Sequence, residues 1–195
     1  MAETLQLPTI DLSSPDRSST ANSIRQACVL HGFFYIINHG IEEERLKQVF
    51  VEGRKFFSLP FQEKMKLTRS KNHRGYTALY SETLDPSVES KGDLKESFYI
   101  GPLEGGLNQW PLEADDLLVT VGKRLLPLIA LSLNLEEDFF EKVGGMNPPM
   151  GFLRLLHYPG DLANSNIGTY GASAHSDYGM ITLLATDGVP GLQAC

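Results

Sequence analysis

Two runs of sequence decide the fold of this chain, FLRLLHYP at residues 152–159 and AHSDYGMITLLATDGVPGLQ at residues 174–193. The first run is rich in apolar residues and ends at a proline, which predicts a strand over 152–158. In the second run, two apolar segments at 180–186 and 189–194 are separated by Asp-Gly, a typical hairpin turn. We therefore expect β-structure to dominate the end of the chain.

His175 and Asp177 lie two residues apart in the second run. On an extended strand, residues i and i+2 point to the same face, about 6.5 Å apart, so an imidazole and a carboxylate can converge on one metal ion. Two histidines and one carboxylate form the facial triad of non-haem Fe(II) oxygenases. Because His-x-Asp is a common pattern, a surface turn in which Asp177 hydrogen-bonds locally is the alternative interpretation.

The earlier part of the chain mixes predicted strands and helices. Residues 7–12 predict a short strand, and apolar residues at helical spacing predict a helix that stops at Gly32 and another over 42–57. The run from Phe33 to Ile37 predicts a buried strand. Residues 68–94 are polar and interrupted by glycine and proline, which indicates loops.

A further strand is predicted at Phe98–Ile100, and a helical pattern runs from Leu117 to Leu133. Pro127 falls inside that pattern, where it kinks the helix or marks its first turn. We divide the chain into an N-terminal region of residues 1–110, connecting helices over 111–147 and a β region over 148–195.

Composition excludes several classes of protein. The 195 residues are 42% hydrophobic and carry a formal charge of -7, which indicates a globular domain. Residues 101–195 hold 4 of the 17 basic and 11 of the 24 acidic residues, so we expect no nucleic-acid binding, which needs clustered cations. We also expect no membrane span, because no apolar run approaches about 18 residues. The two widely separated cysteines and the absence of a signal peptide favour a cytoplasmic protein.

Taken together, the runs resemble the isopenicillin N synthase-like family of 2-oxoglutarate- and Fe(II)-dependent dioxygenases, common in plants. Three further stretches match that family in the same order, LPTIDL at 7–12, HGFFYIINHG at 31–40 and NQWP at 108–111. The resemblance implies an α+β fold: a double-stranded β-helix (jelly-roll) core, incomplete in this chain, preceded by a mixed helical N-terminal region.

The resemblance also implies site residues. His175 and Asp177 match two of the three iron ligands, and Tyr158 matches a tyrosine that helps to hold the carboxylate of 2-oxoglutarate. Many relatives have an asparagine two residues before this tyrosine, where this chain has Leu156. In the family a downstream histidine completes the metal site, and an Arg-x-Ser motif beyond it binds the far carboxylate. The 18 residues after Asp177 contain no His, Arg or Ser.

The activity implied by the resemblance is the use of Fe(II), 2-oxoglutarate and O2 to hydroxylate or desaturate a small organic metabolite. Because the third ligand and the Arg-x-Ser motif are missing, we expect a truncated chain, and whether it is an enzyme stays open. One alternative is a catalytically inactive truncated isoform that acts as a binding or regulatory protein. Another is a different metal-dependent hydrolase or isomerase. The sequence indicates neither the substrate nor the oligomeric state.

The remaining candidate side chains have structural explanations. His31 and His39 flank a predicted strand, where packing or turn chemistry is expected. By the period of two, His157 faces away from Tyr158 and should not join the same metal site. Arg154 shares a face with Tyr158, and it either lines a substrate cavity or forms a salt bridge.

Overall fold

The computed structural model describes residues 6–71, 73–84, 92–101, 115–145, 151–160, 171–173, 175–177 and 179–192. In chain order, these residues form β1 (Thr9–Asp11), α1 (Arg17–Leu30), β2 (Tyr35–Ile37), α2 (Glu43–Phe57), α3 (Phe61–Met65), β3 (Gly75–Thr77), β4 (Glu96–Ile100), α4 (Asp115–Ser132), α5 (Phe139–Lys142) and β5 (Leu153–His157). The chain forms two compact units, Met1–Glu43 with Asp116–Met150 and Glu44–Asp115 with Gly151–Cys195.

The first unit contains a two-stranded parallel sheet of β1 and β2, together with α1, α4 and α5. The carboxylate of Asp16 caps α1 by accepting a hydrogen bond from the Ser19 N–H at 2.9 Å. Ile10 of β1, Ile24 of α1 and Leu128 of α4 form the core of this unit. The predicted first strand and first helix are confirmed.

The prediction that the strand after Gly32 is buried is wrong. Tyr35 is 62% exposed and Ile37 is 46% exposed, although Ile36 packs against the core. Within the described residues β2 has a single strand neighbour, β1, and it presents only one face to the core. Alternate side chains therefore point outwards, as the period of two requires.

The second unit is built on an antiparallel sheet in the order β3-β4-β5, with Tyr76 opposite Phe98 and Phe98 opposite Leu155. One face of the sheet, here called the apolar face, packs against α2 through Phe56, whose ring meets the Phe98 ring edge-on at a centroid distance of 4.9 Å. The buried core on this face consists of Phe56, Tyr76, Phe98, Ile100 and Leu155. The helix over 42–57 and the strands at 98–100 and 152–158 are thus confirmed, each within a few residues.

The opposite face of the same sheet, here called the polar face, carries Thr77, Ser97, Tyr99, Arg154 and Leu156, since these residues alternate with those of the apolar face. Strand β3 was not predicted and lies inside the stretch expected to be loops. Helix α4 confirms the predicted helix, and Pro127 lies in its interior rather than in its first turn.

The hairpin predicted over 180–194 is wrong for the residues that the structure describes. Residues 179–192 form no strand, and 193–194 lie outside the described residues. The turn itself is present, since Gly188 has φ of 84° and the Asp187 carboxylate accepts a hydrogen bond from the Val189 N–H at 3.2 Å. No described strand pairs with this segment, and a hairpin without further partners is marginally stable at best.

Candidate metal site

His175 and Asp177 converge in the second unit, with His175 Nε2 3.3 Å from Asp177 Oδ1. The extended strand expected to bring them together is not formed, because residues 175–177 have no regular secondary structure. The pairing is therefore made by a segment without regular secondary structure. Their side chains are 35% and 52% exposed, respectively, so an ion from solvent can reach both donors.

A backbone carbonyl orients the His175 ring. Its Nδ1 lies 2.7 Å from the carbonyl oxygen of Ser173. Since a carbonyl only accepts hydrogen bonds, Nδ1 carries a proton, and in the neutral ring the lone pair on Nε2 is available on the side of Asp177. An imidazole nitrogen and a carboxylate oxygen suit a divalent transition metal. The two side chains thus fit two ligand positions of an Fe(II) site.

Among the described residues, no third ligand lies beside this pair. Within the described segments no group of three His, Cys, Asp or Glu side chains is arranged to hold a metal ion. His157 lies on the apolar face, where its Nδ1 is 2.8 Å from Glu96 Oε1 and its ring stacks on Phe57. The prediction that His157 faces away from the site is confirmed.

The two histidines beside β2 form hydrogen bonds with neighbouring backbone groups. His31 is the C-terminal cap of α1, and its N–H donates to the carbonyl of Ala27 at 2.9 Å. His39 Nδ1 accepts a hydrogen bond from the Ile41 N–H at 3.1 Å, which closes a turn. The His39 side chain therefore has a structural role, whereas His31 contributes to the cap through its backbone.

Tyr158 follows β5 and is 48% exposed. Gly171 packs against its ring so closely that a Cβ there would lie 2.8 Å from Tyr158 Cδ1. Burial raises the pKa of the phenol; the charge of Arg154 opposes this rise, while the carboxylates of Asp93 and Glu82 add to it. The hydroxyl therefore stays protonated at neutral pH and can donate a hydrogen bond to a carboxylate.

Five charged side chains next to the polar face form what we call the charged cluster: Arg69, Glu82, Asp93, Lys95 and Arg154. Arg154 Nη2 pairs with Glu82 Oε2, and Arg69 Nη1 lies 3.0 Å from Glu82 Oε1. Lys95 Nζ lies 2.8 Å from Asp93 Oδ2, and both of these side chains are nearly fully buried. The salt bridge expected for Arg154 is confirmed, whereas the rest of the cluster was not predicted.

Asp93 connects the charged cluster to the candidate metal ligands. Its Oδ1 accepts a hydrogen bond from Ser173 Oγ at 3.4 Å, and its Oδ2 accepts one from the Leu84 N–H at 3.2 Å. The backbone carbonyl of the same serine orients His175. Polar contacts therefore run from the His175 imidazole through Ser173 and Asp93 to Lys95. Lys95 Nζ in turn lies 4.0 Å from Glu82 Oε2, which pairs with Arg154. No helix of the described chain is long and apolar enough to cross a membrane.

Comparison with known proteins identifies the family. The family model described as "non-haem dioxygenase in morphine synthesis N-terminal" matches residues 7–113. The chain is 36% identical over 217 residues to azadirone synthase LFS of Melia azedarach, covering 97% of this chain and 64% of that protein. It is 32% identical over 208 residues to a 2-oxoglutarate-Fe(II) type oxidoreductase of Aspergillus fumigatus, covering 92% of this chain and 60% of that protein.

A solved structure shows the same fold. A full-length Neurospora crassa protein in complex with alpha-KG superposes with a TM-score of 0.69 at 30% identity, covering 92% of this chain and 63% of that one. The predicted α+β class with a double-stranded β-helix core is thereby confirmed, and this chain spans less than two thirds of the length of these relatives. The chain belongs to the family of non-haem dioxygenases that use Fe(II) and 2-oxoglutarate.

Proposed function

We propose that this chain contributes part of the iron site of an Fe(II)- and 2-oxoglutarate-dependent dioxygenase that hydroxylates or desaturates a small organic metabolite. The observation that carries the proposal is the 3.3 Å approach of His175 Nε2 to Asp177 Oδ1, in a chain that belongs to this family. The two donors have the chemistry of two members of the facial triad.

Each residue has a defined role in this proposal. His175 and Asp177 hold the metal, and the Ser173 carbonyl fixes the ring orientation of His175, as outer partners of metal-bound histidines commonly do. Tyr158 donates its phenolic hydrogen to a carboxylate of 2-oxoglutarate. When bound, Fe(II) and 2-oxoglutarate supply the oxidative chemistry with O2, while the protein supplies the ligand geometry.

The names of similar proteins support a small organic substrate. The Melia relative is named azadirone synthase, and the Neurospora protein has also been solved with alpha-KG and thymine. Because this chain spans 64% of the first of these proteins and 64% of the second, the activity of a whole enzyme is inferred from the family.

A binding or regulatory role without catalysis is the second candidate. It is favoured by the observation that, within the described residues, His175 and Asp177 are not joined by a third ligand. Two protein ligands hold a divalent ion less firmly than three, so a chain of this kind would bind the metal or the co-substrate without turnover.

Anaerobic titration of the 195-residue chain with Fe(II) and 2-oxoglutarate tests the proposal. A metal-to-ligand charge-transfer band should appear with the wild-type chain and disappear in His175→Ala and Asp177→Asn. His31→Ala is the matched control, because its side chain is remote from the site in sequence and its backbone caps α1. A band of equal intensity in all four proteins would refute the assignment of the ligands. A wild-type chain that binds 2-oxoglutarate without the band, as measured by calorimetry, would favour the second candidate.

A further inference from the structure

A buried carboxylate just before β4 contacts the segment that carries the candidate metal ligands. Asp93 is 2% exposed, and the two oxygens of its carboxylate have different partners. Oδ2 accepts hydrogen bonds from Lys95 Nζ at 2.8 Å and from the Leu84 N–H at 3.2 Å, whereas Oδ1 accepts one from Ser173 Oγ at 3.4 Å. One oxygen therefore fixes the carboxylate in place, and the other faces the residue that orients His175.

The ion pair between Asp93 and Lys95 needs an explanation other than stability. Both side chains are nearly fully buried, and removing two charges from water is costly. Replacing a buried ion pair by well-packed apolar residues is often neutral or stabilising, so the contribution of such a pair to the free energy of unfolding is a weak reason for its presence. What the pair does provide is a carboxylate held in a single orientation by a counter-charge 2.8 Å away.

The backbone of Asp93 is fixed as well. The Asp93 N–H donates to the carbonyl of Glu82 at 2.7 Å, and the Tyr80 N–H donates to the carbonyl of Asp93 at 3.2 Å. The preceding residue, Gly92, has φ of 100° and packs so closely on this turn that a Cβ there would lie 2.6 Å from the carbonyl carbon of Tyr80. Only a residue without a side chain fits that position. The Asp93 carboxylate is therefore a rigid reference point whose position does not depend on Ser173.

Ser173 joins this reference point to the candidate ligand. Its hydroxyl donates to Asp93, and its carbonyl lies 2.7 Å from His175 Nδ1. Residues 171–173 and 175–177 belong to no helix or strand, so no ladder of backbone hydrogen bonds within the described chain holds them. Anchoring the Ser173 side chain restricts the backbone of the same residue, which keeps the carbonyl directed at the imidazole.

We propose that Asp93, held by Lys95, is a positioning residue of the metal site: through the Ser173 hydroxyl it keeps the His175 ring protonated on Nδ1, with Nε2 directed at Asp177. The inference rests on the proposed function, because it gives Asp93 this task only where His175 is a metal ligand. Groups behind a metal-bound histidine fix the tautomer and the orientation of its ring in this way. Here the fixing group is a backbone carbonyl, and Asp93 acts on it through one intervening hydroxyl.

Two-bond ¹H–¹⁵N NMR of the histidine rings in the full chain, without metal, tests this proposal directly. Spectra are recorded above about pH 8, where an ordinary imidazole is neutral, and His175→Ala identifies the His175 signal among the five histidines. We expect the wild-type His175 ring to be protonated mainly on Nδ1. Ser173→Ala should shift the proton towards Nε2, and Ser173→Thr, which retains a hydroxyl, should restore the wild-type tautomer. The same tautomer in wild type and Ser173→Ala would overturn the proposal.

A double-mutant cycle separates positioning through Ser173 from a general structural effect. Asp93→Ala should shift the His175 tautomer as Ser173→Ala does, and the double variant should shift it no further, because both substitutions remove the same hydrogen bond. Additive shifts would overturn the route through Ser173. Ser176→Ala is the matched control and should keep the wild-type tautomer; a shift equal to that of Ser173→Ala would also overturn the proposal. If Asp93→Ala does not fold, the Ser173→Ala and Ser173→Thr pair decides.

The tautomer measurement distinguishes failure of this inference from failure of the proposed function, because it contains no metal. If the wild-type chain gives no charge-transfer band with Fe(II) and 2-oxoglutarate, the ligand assignment fails, and a tautomer that still depends on Ser173 supports the contact with Asp93. If the band is present, Ser173→Ala should bind Co(II) about tenfold more weakly than wild type and Ser173→Thr should bind it like wild type. Equal Co(II) affinities in all three proteins would overturn the positioning role.

Discussion

Both faces of the β3-β4-β5 sheet carry charged side chains, but the two sets differ in burial and in pairing. On the apolar face, Lys64 Nζ lies 2.7 Å from Glu96 Oε2, and these side chains are only 9% and 4% exposed. Glu96 also accepts hydrogen bonds from the Tyr76 hydroxyl and from His157. Every charge in that group has a partner within the protein, so the group contributes to the folded state and offers nothing to a ligand.

The polar face is different in each of these respects. Arg154 and Glu82 are 25% and 20% exposed, one positive charge of the charged cluster is in excess, and Thr77 Oγ1 has no partner among the described residues. A satisfied buried network stabilises a fold, whereas ion pairs that are accessible to solvent contribute less to stability. The charged groups of the apolar face are therefore buried and paired within the protein, whereas those of the polar face are in part accessible to solvent.

The largest expected effect is that of Glu96→Gln. The substitution leaves the Lys64 ammonium buried without a counter-charge, and breaking a buried pair in this way costs about 3–5 kcal/mol of unfolding free energy. Urea denaturation followed by circular dichroism measures the loss. Glu63→Gln is the control, because its pair with Lys66 is largely exposed and should cost less than about 1 kcal/mol. Similar losses in both variants would refute the contrast between buried and exposed pairs.

Ser173→Ala should weaken metal binding by about tenfold, the lower end for partners of metal ligands. The substitution removes the hydrogen bond from Ser173 Oγ to Asp93 while keeping the carbonyl that faces His175. Competition with a chromophoric chelator for Co(II) measures the affinity. Ser176→Ala changes the intervening residue of His-x-Asp by the same atom and serves as the control. An unchanged affinity in Ser173→Ala would show that Asp93 does not help to position the ligand segment.

Lowering the pH should destabilise the folded protein through Glu96 on the apolar face. Burial alone would raise the pKa of Glu96, but hydrogen bonds from Lys64, Tyr76 and His157 outweigh it and hold that pKa below the ordinary value of 4.5. A carboxyl whose folded pKa is depressed stabilises the protein fully above its unfolded pKa and loses this contribution as the pH falls through the folded value. Wild-type stability should therefore fall more steeply than that of Glu96→Gln between about pH 5 and about pH 3. Parallel curves in urea unfolding would contradict the role of Glu96.

The smallest effect on stability is expected at the polar face. Arg154→Gln should lower the unfolding free energy by less than Glu96→Gln does, because the Arg154–Glu82 pair is 25% and 20% exposed, whereas Lys64 and Glu96 are 9% and 4% exposed. Urea unfolding of Arg154→Gln beside Glu96→Gln gives the comparison directly. A loss for Arg154→Gln as large as that for Glu96→Gln would make the polar face a structural element.

The sequence predicts the elements whose signal is local. Helix α2 follows from the periodicity of its own apolar residues, and strand β5 from a short apolar-rich run that ends at a proline. Strand β3 has three residues, begins at Gly75 and lies in a polar stretch, so its strand conformation depends on pairing with β4. The predicted hairpin had a strong turn signal at Asp187-Gly188, but strands need partners, and no described strand supplies one.

The same distinction applies to the site. His175 and Asp177 are two residues apart, so their approach could be predicted from spacing, even though the strand assumed for it is not formed. The charged cluster joins residues from Arg69 to Arg154, which are separated by tens of positions in the chain. Only the antiparallel pairing of β4 with β5 brings Arg154 opposite Tyr99, and no local pattern encodes that pairing.

Binding of Mn(II), followed by loss of the six-line EPR signal of the free ion, tests most directly whether His175 and Asp177 hold a metal together. We expect the wild-type chain and His31→Ala to bind the ion with the same affinity. We expect His175→Ala and Asp177→Asn each to bind the ion about tenfold or more weakly, because each removes one of the two proposed protein ligands. Equal binding by all four proteins would contradict the assignment of His175 and Asp177 as ligands.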